Sequence, residues 1–235
     1  MAPTSWIAKP SLDIGLFTNQ LDPMLAFWGQ TAGIHFDHML PVGNGIRQYR
    51  HLYGDAVLKV NHARTSLLAA EPGGYYSLVL ARDDVTSPVS CFDPDHNAVK
   101  LVPKGWNGLT HWAIETATPD ADTFLDFYNG QLGLPLDTHH PLAVRCGESL
   151  IIGRTDTNVS SLISRDVLQS IGYRYVTIQV WDVDREHGRV LAHGAREGAP
   201  PRSLGETARI SFLRDKSGNW IELSQRASVT GSPVP

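Results

Sequence analysis

The sequence has few of the features that mark membrane proteins, nucleic-acid-binding proteins or disulfide-stabilised proteins. Its two cysteines, Cys91 and Cys146, are too few for a disulfide framework and lack the spacing of a zinc site. No apolar run approaches the roughly 18 residues of a membrane helix, and a net charge of −4 offers nucleic acid no basic field. The first ten residues lack the pattern of a secretion signal. We therefore expect a protein of the reducing cytoplasm whose partner is a small molecule.

The chain contains four copies of one short pattern. Each copy is a segment of alternating polar and apolar residues that reaches an aspartate nine residues after its start. Repetition at a period of tens of residues indicates one supersecondary unit used several times. The copies begin at Asp13, Tyr75, His111 and Tyr175, and they define units one to four.

The first unit predicts the order β-α-β-β-β. After the Asp13 strand, the apolar spacing of 21–32 predicts a helix, with Asp22 as a candidate cap and Gly33 as its end. Three strands follow, separated by the tight turns at Gly43-Asn-Gly and Gly54-Asp. Units three and four repeat this order, whereas unit two is short and is expected to have a lost or reduced helix.

The segment from Pro103 to Gly108 separates the first two units from the last two. This boundary divides the chain into the ranges 11–103 and 109–226. We predict that each range is a domain in which neighbouring units pair.

Two segments carry a resemblance to a known family. The stronger is Arg214-Asp-Lys-Ser-Gly-Asn-Trp-Ile-Glu-Leu223, and a weaker copy runs from Phe92 to Leu101. With the repeated unit, they make the region from Leu12 to Arg226 resemble the vicinal oxygen chelate superfamily of glyoxalases, bleomycin-resistance proteins and extradiol dioxygenases. The resemblance implies an α+β fold of four βαβββ units, paired into two half-open mixed-sheet barrels. It also implies a metal held between the first and last strands of paired units.

Two pairings of the units lead to different sites. If units three and four pair, as in the dioxygenases, one cavity holds His111, Tyr175 and Glu222. If units one and four pair, as in some glyoxalases, His111 and Glu222 are separated. The first pairing unites the two residues that match the family's ligand positions. We therefore predict a working half at 109–226 and a degenerate, metal-free half at 11–103.

The predicted metal ligands are His111 and Glu222. Imidazole nitrogen and carboxylate oxygen suit iron, manganese or zinc. Tyr175 stands where the family has a second histidine, and a neutral phenol is a poor ligand for ferrous iron, so we predict that it donates or accepts a proton. The predicted substrate contacts are Gln179, Glu115 and Arg209.

The first half has other residues at all four of its ligand positions, namely Asp13, Lys59, Tyr75 and Lys100. We predict that Asp13 neutralises one of these lysines inside the cavity. The alternative is an anion pocket that also includes Arg50, which should share the inward face with Lys59.

Three functions stay open at this point. The first is a metal-dependent enzyme acting on a small catechol-like or enolisable substrate, with a layout closest to an extradiol ring-cleaving dioxygenase. The second is a glyoxalase-like lyase or isomerase that uses metal-assisted proton transfer. The third is a metal-free binding or resistance protein with aromatic walls, for which Trp112, Trp181 and Trp220 are candidates. A homodimer is compatible with each of them.

Overall fold

The structure is a computed structural model that describes residues 5–68, 74–156 and 168–234. In the described residues the chain forms strands and short helices in the order of the repeat. The strands are β1 (Ile7–Thr18), β2 (His35–Gly43), β3 (Ile46–Tyr53), β4 (Ala56–Ala63), β5 (Tyr75–Arg82), β6 (Val89–Phe92), β7 (Ala98–Pro103), β8 (Trp112–Thr118), β9 (Ala143–Cys146), β10 (Ser149–Thr155), β11 (Gly172–Val180), β12 (Arg196–Leu204), β13 (Ala208–Arg214) and β14 (Trp220–Arg226). The helices are α1 (Leu21–Ala26), α2 (Ala121–Leu125), α3 (Val183–Ala192) and α4 (Ala227–Thr230).

The helices start close to the predicted positions. The carboxylate of Asp120 accepts a hydrogen bond from the Thr123 amide at 2.7 Å and so caps α2. Asp22 does not cap α1, because the helix begins one residue earlier and places Asp22 inside its first turn. Both α1 and α2 continue as a π-helical turn, over Phe27–Thr31 and Asp126–Gln131. None of the described helices is long and apolar enough to cross a membrane.

The strands form two mixed sheets, as the predicted α+β fold requires. The larger sheet has eight strands in the order β12-β13-β14-β11-β1-β4-β3-β2. The smaller has six strands in the order β6-β7-β5-β8-β10-β9. Each sheet therefore combines two of the four units, and the predicted fold class is confirmed.

The units that share a sheet are not the ones that we predicted. Strand β1 of unit one pairs antiparallel with β11 of unit four, with Asp13 opposite Thr177. Strand β5 of unit two pairs antiparallel with β8 of unit three, with Leu78 opposite Ile114. The prediction that neighbouring units pair within 11–103 and within 109–226 is therefore wrong in its pairing. Units one and four form the larger sheet, and units two and three form the smaller sheet.

A glycine on β1 explains why unit four fits against unit one. Gly15 lies opposite Tyr175 in the register of β1 and β11. A Cβ atom at position 15 would lie 2.1 Å from the Cζ atom of Tyr175, so the tyrosine ring occupies the space that a side chain would need. Since a buried ring has few alternative positions, this pairing requires glycine at position 15.

The two faces of each sheet have different environments. One face of both sheets packs with the helices into a common core that includes Leu12, Ile14, Ile114 and Val176. The opposite face of the smaller sheet carries a second apolar cluster around Val79, Ala81, Val102, Leu109, Ala113 and Leu150, against which Trp106 packs. The opposite face of the larger sheet carries buried polar and charged side chains. The candidate functional site therefore lies on the larger sheet.

We expect Gly15→Ala to lower the free energy of unfolding by about 1–3 kcal/mol, because the methyl group overpacks the site against Tyr175. Chemical denaturation measures the change. The matched control is Gly29→Ala, since a Cβ atom there has no neighbour within 4 Å. In a Tyr175→Ala background the cost of Gly15→Ala should disappear. An equal cost in both backgrounds would show that the tyrosine ring is not its cause.

Candidate functional site

The concave face of the larger sheet encloses a cavity of about 270 Å³. Its floor is formed by alternate residues of the four central strands, because side chains alternate across a strand. The parallel pairing of β11 with β14 places Thr177 beside Glu222, and the parallel pairing of β1 with β4 places Gly15 beside Lys59. Polar side chains from all four strands thus converge on one region.

A lysine ammonium lies at the centre of this floor. Lys59 is 1% exposed, and its Nζ donates to Thr177 Oγ1 at 2.7 Å and to Glu222 Oε2 at 3.1 Å. Thr177 Oγ1 in turn donates to the same Glu222 oxygen at 3.1 Å. Burial lowers the pKa of Lys59, and the carboxylate of Glu222 opposes this shift. The three groups form a closed triangle whose charges cancel.

The second buried carboxylate of the concave face, Asp13, is also paired. Asp13 is fully buried and forms an ion pair with Lys9. It accepts hydrogen bonds from the Val57 amide at 2.9 Å and from Gln179 Nε2 at 3.0 Å. Burial acts to raise the pKa of Asp13, but Lys9 and Lys59 outweigh it and hold the pKa below its ordinary value. The ion-pair partner of Asp13 is therefore Lys9, and the prediction that it is one of the lysines at the ligand positions, Lys59 or Lys100, is wrong.

Tyr175 belongs to a chain of neutral groups beside the lysine. Its hydroxyl accepts a hydrogen bond from Asn61 Nδ2 at 3.2 Å, and the Lys59 ammonium lies 5.3 Å from its ring centroid. Asn61 Oδ1 accepts from Gln48 Nε2 at 3.0 Å, and Gln48 Oε1 accepts from an Arg50 guanidinium nitrogen at 3.1 Å. Burial raises the pKa of Tyr175 far above its ordinary value, so its phenol is neutral. A neutral phenol can hold a ligand oxygen by hydrogen bonding.

The walls of the cavity are mostly apolar, although Gln169, Arg202, Thr207 and Arg226 also line it. Tyr175 and Phe212 meet edge to face with ring centroids 6.0 Å apart, and Phe212 meets Trp220 in the same way at 5.7 Å. The other apolar wall residues include Phe17, Leu40, Val42, Ile46, Ile210, Leu204 and Ala208. Of the three tryptophans proposed as walls, Trp112 is buried in the helix-covered core and Trp181 is 36% exposed, whereas Trp220 packs against the wall. A polar floor under apolar walls suits a small molecule with a polar end.

His111 is separated from this site. It lies immediately before β8, a strand of the smaller sheet, and its Nε2 is 2.7 Å from the carbonyl oxygen of Tyr53. Its Nδ1 is 3.5 Å from Ser149 Oγ. Burial lowers the pKa of His111, so the ring is a neutral hydrogen-bonding group. The predicted pair of His111 and Glu222 is thus not brought together, because the two residues belong to different sheets.

Two of the three residues predicted to contact the substrate, Glu115 and Arg209, also lie outside the cavity. Glu115 faces the concave side of the smaller sheet and is 3.1 Å from Arg154. Arg209 lies on the outer face of β13, where its guanidinium forms two hydrogen bonds, of 2.5 and 2.7 Å, with Asp184. Gln179 is on the predicted face, where it donates to Asp13. The structure therefore unites Tyr175, Gln179 and Glu222 and separates them from the rest.

The donor atoms of the floor do not fit a divalent metal. The two carboxylates, of Asp13 and Glu222, are each engaged by a lysine ammonium, and the floor has no imidazole. Throughout the described ranges, no group of three histidine, cysteine, aspartate or glutamate side chains is arranged to hold a metal ion. A cation placed beside Glu222 would have to displace the Lys59 ammonium, which carries the same sign of charge.

Some residues of the site were predicted from the sequence and others were missed, depending on whether the sequence around them is unusual. Arg50 and Lys59 were assigned to the inward face, and their direct pairing across β3 and β4 confirms that assignment. Thr177 and Asn61 gave no signal, since a threonine or an asparagine on a strand is ordinary. Gly15 gave one: a glycine inside an apolar strand indicates a close approach by another group.

We expect Lys59→Met to lower the free energy of unfolding by about 3–5 kcal/mol, because it leaves the Glu222 carboxylate buried without its partner. The double variant Lys59→Met/Glu222→Leu removes both charges and should recover most of that loss. Chemical denaturation of the two single variants and the double variant measures the coupling. Additive losses would show that the two groups do not stabilise each other.

Comparison with known proteins agrees with the geometry. Residues 108–223 match the model of the Glyoxalase/Bleomycin resistance protein/Dioxygenase superfamily. Glyoxalase I from Zea mays has a similar structure, with a TM-score of 0.68 and 14% sequence identity, covering 92% of each chain. A Bacillus subtilis protein named as a candidate dioxygenase has a TM-score of 0.63 and 11% identity, covering 91% of this chain and 84% of its own. No curated protein matches the sequence.

At these sequence identities the solved structures establish only the fold, and the evidence for a family relationship is the match of residues 108–223 to the family model. Relatives in this superfamily typically use divalent metals. The present chain has the same fold, but on its cavity floor the buried carboxylate of Glu222 forms an ion pair with Lys59. The sequence match over residues 108–223 and the fold of the chain together support the glyoxalase, bleomycin resistance protein and dioxygenase superfamily, that is, the vicinal oxygen chelate superfamily.

Proposed function

We propose that this protein binds a small, mostly apolar molecule in the concave cavity of the larger sheet, without a metal. The observation that carries the proposal is the triangle of Lys59, Thr177 and Glu222 on the cavity floor. In relatives a metal supplies the positive charge that holds a substrate oxygen. Here the Lys59 ammonium is a buried positive charge at the floor of the cavity, and it faces the same apolar walls.

The shape of the cavity supports a small ligand. A volume of about 270 Å³ lies just below the usual range of small-molecule sites, about 300–1,000 Å³, and so suits a small ligand. The edge strands β2 and β12 both contribute to its walls, through Leu40, Val42 and Leu204. Residues from the two edges of the sheet thus line one cavity, where apolar side chains can shield part of a bound molecule from water.

The metal-dependent alternatives fit this floor less well. Ring cleavage of a catechol-like substrate, and metal-assisted lyase or isomerase chemistry, both use iron, manganese or zinc with at least three protein donors. Such a set would need His111, which hydrogen-bonds to Tyr53 in the other sheet. The donor chemistry therefore favours the metal-free function.

A second candidate function is proton transfer to or from an enolisable ligand. It is favoured by the position of Lys59 and Glu222, which share a hydrogen bond and both line the cavity. A lysine with a lowered pKa lies closer to the range in which an amine exchanges protons at neutral pH. Exchange of a ligand C–H proton with deuterated water, lost in Lys59→Met, would identify this activity.

The state of the cysteines bears on the proposed location. Cys91 and Cys146 are both free thiols, on β6 and β9. Burial raises the pKa of both thiols, to about 12 for Cys146, so they are weak nucleophiles. Free thiols are usual in a reducing compartment, and we propose the cytoplasm for this protein.

We expect elemental analysis of the purified protein to find iron, manganese and zinc well below one atom per chain. Added Mn²⁺ or Zn²⁺ should leave its unfolding temperature unchanged, because Lys59 already neutralises Glu222. Stoichiometric metal in the wild type that is lost in Glu222→Ala would contradict the proposal.

We expect 2-naphthol, a small apolar molecule with one hydroxyl group, to bind the wild-type protein, and Ala208→Phe to abolish that binding. Ala208 is 1% exposed and lines the cavity, so the added ring fills the space. Ala192→Phe is the matched control, because Ala192 is exposed at the end of α3. Isothermal titration calorimetry measures both. Binding that survives Ala208→Phe or that requires a chelatable metal would contradict the proposal.

A further inference from the structure

Two arginines on the concave face have no carboxylate partner. Arg50 is 7% exposed, and its guanidinium donates to the neutral amide of Gln48 at 3.1 Å, while its Nε atom has no partner. The Nε atom of Arg226, on β14, is likewise buried without a partner. Within the described ranges of the chain, neither arginine is in an ion pair, although thirteen such pairs occur there.

The two guanidinium groups face one space. Both line a second cavity of about 350 Å³, next to the one already described. The two cavities share Leu40, Thr207 and Arg226 in their walls. Burial lowers the pKa of Arg50 and the charge of Arg226 lowers it further, while the charges of Asp13 and Glu222 oppose the shift without cancelling it.

The charges already present on this face do not balance the two arginines. Its buried carboxylates are Asp13 and Glu222, and they are taken by Lys9 and Lys59. Asp55 also lines the second cavity, but it is exposed to solvent at the mouth. A buried cation without a counter-charge is costly to hold in a folded protein. A buried arginine beside a half-buried one on the same cavity therefore marks a place for a negative charge that comes from outside the chain.

We infer that the ligand of this protein is a small organic anion whose oxyanion group is bound between Arg50 and Arg226. Its apolar body lies in the first cavity, over the floor that contains Lys59. Planar guanidinium groups match a carboxylate or a phosphate with paired hydrogen bonds, which are stronger than those between neutral groups. The inference rests on the proposed binding function and adds to it the chemical class of the ligand.

The test compares three probes that share a phenyl ring: benzoate, phenyl phosphate and the uncharged benzamide. We expect calorimetry to show that the wild type binds at least one of the two anions about tenfold or more tightly than benzamide. Phenyl phosphate against benzoate distinguishes a phosphate site from a carboxylate site. Arg50→Gln and Arg226→Gln should each lower the affinity for the preferred anion about tenfold and leave that for benzamide unchanged.

Arg47→Gln is the matched control. Arg47 lies on the same strand as Arg50 but is exposed on the other face, so its removal should change no affinity. A second readout does not need a ligand: Arg50→Gln removes an unpaired buried charge, so the free variant should unfold at the same or a higher temperature than the wild type. A loss of stability would mean that Arg50 is structural and would overturn the inference.

The outcomes separate the two proposals. Equal binding of benzoate, phenyl phosphate and benzamide, unchanged in Arg50→Gln, would overturn the anion site and leave the apolar cavity as a binding site. Binding of none of the three probes, together with no binding of 2-naphthol, would overturn the proposed function itself. Anion binding that persists in both arginine variants would place the charge recognition elsewhere and would also overturn the inference.

Discussion

The antiparallel pairing of β1 with β11 is the constraint on which the rest of the molecule depends. It joins the first and last units in one sheet and sets Asp13 opposite Thr177. With β4 and β14 as the outer neighbours of this pair, it brings Lys59 against Glu222. Had the fourth unit paired with the third, the lysine and the carboxylate would lie in different sheets, and each would need another partner.

Charge on the concave face follows from this pairing. Each buried carboxylate is matched by a lysine from the first unit, so the floor is internally neutral before any ligand enters. The arginines add positive charge that the described residues of the face do not compensate. A site organised in this way attracts an anion by its field and holds it by hydrogen bonds, where many relatives rely on a metal.

Much of the fold could be predicted from the sequence, because alternation and turn residues are local signals. The helix capped by Asp120 and the hairpin at Gly54 were found in this way. The partner of each sheet strand is a long-range choice, and the same alternation fits either partner. Gly15 carried part of the missing information, since a glycine inside an apolar strand indicates a close approach, and in the structure the Tyr175 ring fills that space.

The candidate site was predicted in part for the same reason. Side-chain direction is local, so Lys59, Arg50, Tyr175 and Glu222 were all placed on inward faces. Which inward faces meet is not local, and the wrong pairing put His111 beside Glu222. His111 instead holds the carbonyl oxygen of Tyr53, which links the smaller sheet to the β3–β4 hairpin of the larger one.

The separation along the chain of the residues that meet at the cavity floor affects how the protein is made. Strands β5 to β10 form the smaller sheet from one continuous stretch, whereas Lys59 and Glu222 are 163 residues apart. Contacts between distant segments form slowly, because a long loop must first be closed. On the ribosome the smaller sheet is complete long before β14 has been synthesised. The nascent chain therefore holds an unpaired lysine in an unfinished sheet until its last strands emerge, and the cavity is the last part of the molecule to form.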